Sequence, residues 1–244
     1  MFFQDIVMFL GLDATTGNFF FTTNFRDVSQ PLYQFLLVPQ AWTIGIELMF
    51  YLIVPFIAKR KTKYIVTLIC LSLLLRLYLM FGLGLINDPW TYRFFPTELV
   101  FFLVGILAYR GYKYLQKFQK IDKKYLTIIW FGILLLTTIF SFLPDSAFHH
   151  FIIKDWLYLL VFSMALPFIF ALTKKWKFDR YIGDLSYPVY ISHMLVLNHM
   201  ADIVPYSKLG MVTSFISIIF AIVLNEIVQK KIEKIRQQRI LKTI

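Results

Sequence analysis

The stretch from Gln40 to Lys61, QAWTIGIELMFYLIVPFIAKRK, is an apolar run about long enough to cross a bilayer, and it carries Glu47 inside it. An acidic side chain at the centre of a membrane helix costs roughly 2.5–3.5 kcal/mol on insertion scales, so a carboxylate at that depth needs a function or a partner. Trp42 opens the run at the expected interface. Lys59, Arg60, Lys61 and Lys63 close it, which gives the segment a direction as well as a depth.

The rest of the chain repeats the pattern. With 59% hydrophobic, 19% aromatic and 16% charged residues in a chain of 244, there is more apolar surface than a soluble core of this size could hide. The expected class is an all-α polytopic integral membrane protein. A net charge of +11 would point to nucleic acid in a soluble domain, but here the cations lie in loops between apolar segments, so no nucleic-acid partner is expected. Cys70 is the sole cysteine, which excludes an internal disulfide and a cysteine-built metal site.

Residues 1–12 are apolar but short and lack the positive start of a signal peptide, so they read as the end of a preceding segment. Asp13 to Gln40 reads as a loop with an interfacial piece. Residues 1–40 thus form an N-terminal remnant and external loop, 41–228 a transmembrane domain and 229–244 a basic tail. Seven segments of spanning length follow one another: Ala41–Ala58, Tyr64–Leu85, Phe94–Tyr109, Tyr125–Leu143, Trp156–Leu172, Tyr181–Met200 and Leu209–Val228.

Basic residues follow the first, third, fifth and seventh segments, whereas the intervening loops carry only Arg93, Lys154 and Lys208. The positive-inside rule therefore places the C-terminus in the cytoplasm and the N-terminal loop outside. Topology and anionic lipid headgroups explain the basic loops. Contact with donor phosphates is the alternative.

Depth can be estimated from helical rise. Glu47 falls ~9 Å below the outer surface, Glu98 ~6 Å, and Arg76 and His193 ~12 Å. Glu47, Arg76 and His193 thus share a level and are suited to pairing. Glu47 has Thr43 and Tyr51 on its own helix face; it is either a site residue or a scaffold carboxylate that neutralises Arg76. Arg76, one turn after Ser72, either binds an anionic group of a donor or pairs with a glutamate. Ser186, Tyr190 and His193 share a face at i, i+4 and i+7; His193 is either a general base towards a hydroxyl or a partner in an interhelical hydrogen bond. His149, His150 and His199 lie in or near external loops, without the carboxylate spacing of a metal site, so no metal is expected.

The first apolar run resembles the TWSLxxExxFYLxxP signature of the acyltransferase 3 family, with Trp42, Glu47, Phe50, Tyr51 and Pro55 at matching positions and Thr43, Ile44 and Gly45 departing mildly. The stretch IGDLSYPVYISHMLVL is similar to a late family helix, LGxxSYxxYLxH, through Gly183, Ser186, Tyr187, Tyr190 and His193, with Ser192 at a position that is usually apolar. FFLVGILAY is similar to another family helix, with Phe102, Gly105 and Ala108 aligned; Gly105 there reads as a helix-packing contact.

The resemblance implies transfer of an acyl group, most often acetyl, from a cytoplasmic acyl-CoA to a hydroxyl of an envelope polysaccharide or lipid-linked sugar. No cofactor is expected to stay bound; acyl-CoA is the donor substrate, and membrane lipid and an envelope sugar are the expected partners. Glu47 and His193 would activate or orient the acceptor. Arg76, Trp42, Tyr51, Ser186, Tyr190, Arg93 and Glu98 would contact substrate. Family members are expected to have about ten helices with both ends cytoplasmic and a proposed catalytic histidine in the first, so the chain is expected to begin three helices late relative to its family, through a truncated gene, an alternative start or a split protein whose separate chain supplies the missing helices. A silent remnant, half of a split enzyme, and a transporter of a polar envelope precursor are the rival readings; related halves, a transporter hallmark, are not visible.

Overall fold

The structure is a computed structural model that describes residues 4–35, 42–118, 122–142 and 151–243; His149 and His150 lie outside the described residues. The chain divides into two compact units, the first of Met1–Leu36 and Trp42–Lys175, the second of Leu37–Ala41 and Trp176–Ile244.

The first unit begins with short helical turns and a small hairpin, where the sequence reads as the end of a preceding segment followed by a loop with an interfacial piece. Strands β1 (Leu10–Leu12) and β2 (Phe19–Phe21) pair antiparallel with Gly11 opposite Phe20. Asp13 closes the hairpin by accepting hydrogen bonds from the Thr15 amide and hydroxyl and from the Thr16 hydroxyl, while Gly17 supplies the left-handed residue at φ +70°. Three-residue strands are too short to show alternation in a Phe-rich sequence. The hairpin is anchored by Phe9, whose ring lies 4.9 Å from that of Trp90, and by the Trp90 indole N–H donated to the Thr23 carbonyl at 2.9 Å.

Five long helices follow in this unit: α1 (Trp42–Ile57), α2 (Thr62–Leu77), α3 (Phe95–Phe118), α4 (Lys123–Phe142) and α5 (Phe151–Thr173). The second unit consists of α6 (Lys177–Ala201), α7 (Tyr206–Leu224) and α8 (Lys230–Thr243). Each of the seven predicted segments is helical. Among the described residues four stretches are long and apolar enough to cross a membrane, namely Thr62–Gly82, Lys123–Phe142, Lys154–Thr173 and Tyr206–Arg239. Their outward residues are large and apolar, as Phe131, Leu135 and Phe142 on α4 show, which suits a hydrocarbon solvent and not water. α1 is apolar but shorter, and α3 and α6 carry charge along their lengths.

α3 is the spine of the first unit, with α1, α2 and α5 packed on it. Against α1, the Phe50 and Phe102 rings stack at 4.4 Å. Against α2, Leu103 and Ile65 are fully buried. Helix α3 runs well past Tyr109, where the hydropathy falls, and its C-terminal half is used for capping. Arg110 donates to the Thr62 hydroxyl at 2.8 Å and to the Ala58 carbonyl at 2.9 Å, satisfying the chain between α1 and α2.

The close approach of α3 to α5 corrects one expectation. A Cβ built on Gly105 meets nothing within 4 Å, whereas one on Gly111 would lie 3.4 Å from Pro167 Cγ of α5. Gly111 therefore makes the packing contact that the sequence pattern assigns to Gly105. Gly105 instead lines an apolar groove with Ala108, Tyr109, Leu166 and Phe170.

In the second unit α6 and α7 pack along one another. The buried residues of α7 are Thr213, Ser217 and Ala221 and those of α6 include Pro188, Ser192 and Val196, so small side chains recur at every fourth position on both helices. Such stripes let backbones approach closely where the surrounding solvent is as apolar as the side chains.

Candidate functional site

The densest chemistry in the first unit lies where α2 meets the start of α3. Ser72 donates to the Pro96 carbonyl at 2.6 Å, and one turn later Arg76 donates through Nη1 to Glu98 Oε1 at 3.0 Å and to the Thr97 carbonyl at 3.3 Å. Arg76 Nη2 donates to the Thr91 carbonyl. Helix-start amides carry partial positive charge, so Glu98 in the first turn of α3 is stabilised by the helix as well as by Arg76.

The guanidinium also lies 5.4 Å from the Phe101 ring centre and 5.3 Å from that of Trp156. Two aromatic faces thus replace the water that Arg76 has lost. Its Nε is buried without an acceptor among the described residues. A cleft of about 440 Å³ opens beside the pair, lined by Arg76, Tyr92, Glu98, Phe101, Asp155 and Trp156 together with apolar side chains. Aromatic faces beside carboxylates and a guanidinium suit a polyhydroxylated molecule, whose C–H faces can stack and whose hydroxyls can donate to carboxylate.

The sequence points to Glu47 as the partner of Arg76. The partner is Glu98, because α2 lies along α3 and Arg76 reaches the first turn of that helix. Glu47 is exposed on α1, as is Tyr51 at 59%, and among the described residues no hydrogen bond or ion pair is made by the Glu47 carboxylate. Trp42 begins α1, and its side chain lies outside the described residues. Arg93 does not line the cleft: its Nε donates to both oxygens of Asp88 at 2.9 Å, holding the connection between α2 and α3. Asp155, Trp156, Tyr92 and Phe101 do not stand out in the sequence as site residues. The signal available is the Asp-Trp pair at the boundary of an apolar segment.

In the second unit two members of the α6 polar stripe, Ser186 and His193, lie against carbonyls of their own helix. Ser186 is exposed and donates to the Gly183 carbonyl at 2.7 Å; Tyr190 and His193 have ring centres 5.8 Å apart. His193 Nδ1 lies 2.6 Å from the Tyr190 carbonyl. A carbonyl can only accept, so Nδ1 carries the proton and Nε2 of the neutral ring holds the lone pair. That tautomer leaves Nε2 able to take a proton.

Long apolar helices, an ion pair buried between α2 and α3 and a histidine fixed in one tautomer define a predominantly helical membrane protein with ionisable groups placed in its helices. Residues 1–225 match the acyltransferase domain family, and the chain belongs to that family. It is also 26% identical over 212 residues to an uncharacterized protein of Aquifex aeolicus (strain VF5), an alignment covering 82% of this chain and 89% of that relative. No solved structure matches it. The chain is thus a membrane acyltransferase by family.

Proposed function

We propose that this chain is a membrane O-acyltransferase that moves an acyl group, in the first instance acetyl, from acyl-CoA to a hydroxyl of an envelope polysaccharide or lipid-linked sugar. The family match over residues 1–225 carries the reading. The aromatic and carboxylate lining of the cleft beside Arg76 supports a sugar as acceptor.

In this reading α1 to α7 all cross the cell membrane, with the basic connections and the C-terminus on the cytoplasmic side. Each taken by itself, His193 is the residue whose Nε2 can serve as general base towards a hydroxyl, and Glu47 the carboxylate that can orient one. Arg76 supports the cleft electrostatically. Glu98, held by Arg76, gives the acceptor a fixed hydrogen-bond acceptor in place of mobile water.

The test is transfer of label from radiolabelled acetyl-CoA to envelope polysaccharide in membranes containing this chain. Label is expected with the wild type. It is expected to fall about 10²–10⁴-fold in His193→Asn, whose amide can still donate to the Tyr190 carbonyl but which lacks Nε2. Glu47→Gln is expected to lose most incorporation at unchanged protein level. Equal incorporation by the wild type and His193→Asn would remove the base assignment, and no acyl transfer to any sugar would overturn the function.

A further inference from the structure

A second polar cleft, of about 490 Å³, lies wholly within the second unit, where α6 begins and α7 passes into α8. Six of its lining residues carry the argument: Arg180, Asp184, Asn225, Lys230, Lys234 and Arg236. Two of the cations are already neutralised. Lys230 donates to both oxygens of Glu226 at 2.6 and 2.7 Å, and Arg236 donates to Glu233 at 2.8 Å. Arg180 and Lys234 make no ion pair or side-chain hydrogen bond among the described residues.

The backbone adds an independent observation. From Asn225 to Gln229 the helix widens into an i→i+5 turn, with the Lys230 amide donating to the Asn225 carbonyl. Turns of this kind are rare and are concentrated at functional positions. Asn225 is only 2% exposed, and its Nδ2 is buried with no acceptor among the described residues. A buried amide donor left unsatisfied costs about 1–3 kcal/mol. The attraction of basic loops to lipid accounts for the cations. It does not account for a buried, unanswered donor at a widened turn beside them.

We infer that this cleft is a binding site for a phosphate group, held by the Asn225 amide, the Arg180 guanidinium and the Lys234 ammonium. All three groups donate, and a phosphate offers only acceptors to them. Asp184, the lining carboxylate with no ion-pair partner among the described residues, would oppose a bare polyanion and would accept from a neighbouring hydroxyl. The ligand class is therefore a phosphate ester that carries a hydroxyl close by. A nucleotide and a phosphatidylglycerol headgroup both have that chemistry. The site stands without the acyl-transfer reading, because it is tested by binding alone.

The experiment uses the full chain purified in detergent, with two probes: coenzyme A in equilibrium dialysis, and phosphatidylglycerol against phosphatidylcholine retained on the protein in native mass spectrometry. Saturable binding of at least one phosphate probe is expected. Arg180→Gln with Lys234→Gln is expected to weaken it about tenfold or more, the loss of two charge-assisted contacts. Asn225→Asp, which puts an acceptor where the donor stood, is expected to weaken the same probe. Lys59→Gln with Lys61→Gln, in a basic loop of the other unit, is expected to leave it within about twofold.

Loss of coenzyme A binding alone identifies a nucleotide as the ligand; loss of phosphatidylglycerol retention alone identifies the lipid. Binding of neither probe overturns the site. So does an equal loss in the Lys59/Lys61 variant, which would mean undirected charge attraction. Arg180 and Lys234 are exposed, so their variants fold, and circular dichroism checks the Asn225 variant.

Discussion

Arg76 Nη1 stands 3.0 Å from Glu98 Oε1 across the contact of α2 with α3, and the two side chains are 12% and 14% exposed. Removing one member of a pair buried to this degree leaves a charge without its partner, which costs about 3–5 kcal/mol, whereas replacing both by apolar groups of similar size is often neutral. Arg76→Met and Glu98→Leu are each expected to lower the unfolding temperature in detergent by several degrees. The double variant is expected to recover most of it. If the double variant lost the sum of the two single losses, the pair would not be coupled and its role in holding α2 to α3 would have to be given up.

Trp156 serves two purposes, as a wall behind the Arg76 guanidinium and as a lining residue of the cleft. Trp156→Phe keeps an aromatic face with less area, while Trp156→Ala removes it. If the cleft holds a sugar acceptor, loss of the face should cost about 1–2 kcal/mol of binding, a factor of roughly 5–30. KM for the acceptor is expected to rise by that factor in Trp156→Ala, with KM for acetyl-CoA unchanged. A rise in donor KM instead would move the acceptor elsewhere.

The ion pair also separates what an amino-acid sequence of this kind makes legible from what it leaves hidden. Helical segments are legible because long apolar runs ending in basic loops leave few alternatives, and all seven runs are helices. Which carboxylate meets Arg76 is not legible, since depth along an axis does not say which helices are neighbours. The same gap separates Gly105 from Gly111. Both are glycines of α3, and only the position of Pro167 on α5 decides which one is close-packed. Asp155 and Trp156 escape for the related reason that a cleft is a property of several elements at once. The hairpin escapes because its strands are three residues each and its Phe-Phe-Phe run has no period.

Asp13 lies outside the spanning helices and has a pH-dependent role. Hydrogen bonds from the Thr15 side chain and backbone, and from the Thr16 hydroxyl, hold its carboxyl down to about 2 from an ordinary 3.8. A carboxyl whose pKa is lowered by folding contributes stability that is present above its unfolded value and is lost as pH falls through its folded one. The β1–β2 turn is therefore expected to stay closed at pH 4 and to open as pH approaches 2. Hydrogen exchange at the Gly17 amide, which donates to the Asp13 carbonyl at 2.8 Å, reports on it. Asp13→Asn should remove most of the pH dependence; an unchanged profile would mean that another group controls the turn.

Ser217 sits in the middle of the small-residue stripe of α7, 1% exposed, with its hydroxyl unpartnered among the described residues. Two substitutions separate its size from its polarity. Ser217→Ala keeps the close approach of α7 to α6 and removes a hydroxyl that has lost its solvent, so stability is expected to be unchanged or to rise by about 1 kcal/mol. Ser217→Leu forces extra volume between packed backbones and is expected to cost about 1–3 kcal/mol. The measurement is thermal unfolding of the detergent-solubilised chain. Because Thr213 and Ala221 lie one turn to either side on the same face, Ala221→Leu should behave like Ser217→Leu. A stable Ser217→Leu protein would mean that the α6–α7 contact is looser than its small side chains require, whereas a destabilised Ser217→Ala protein would mean that the hydroxyl has a partner in the membrane-embedded chain.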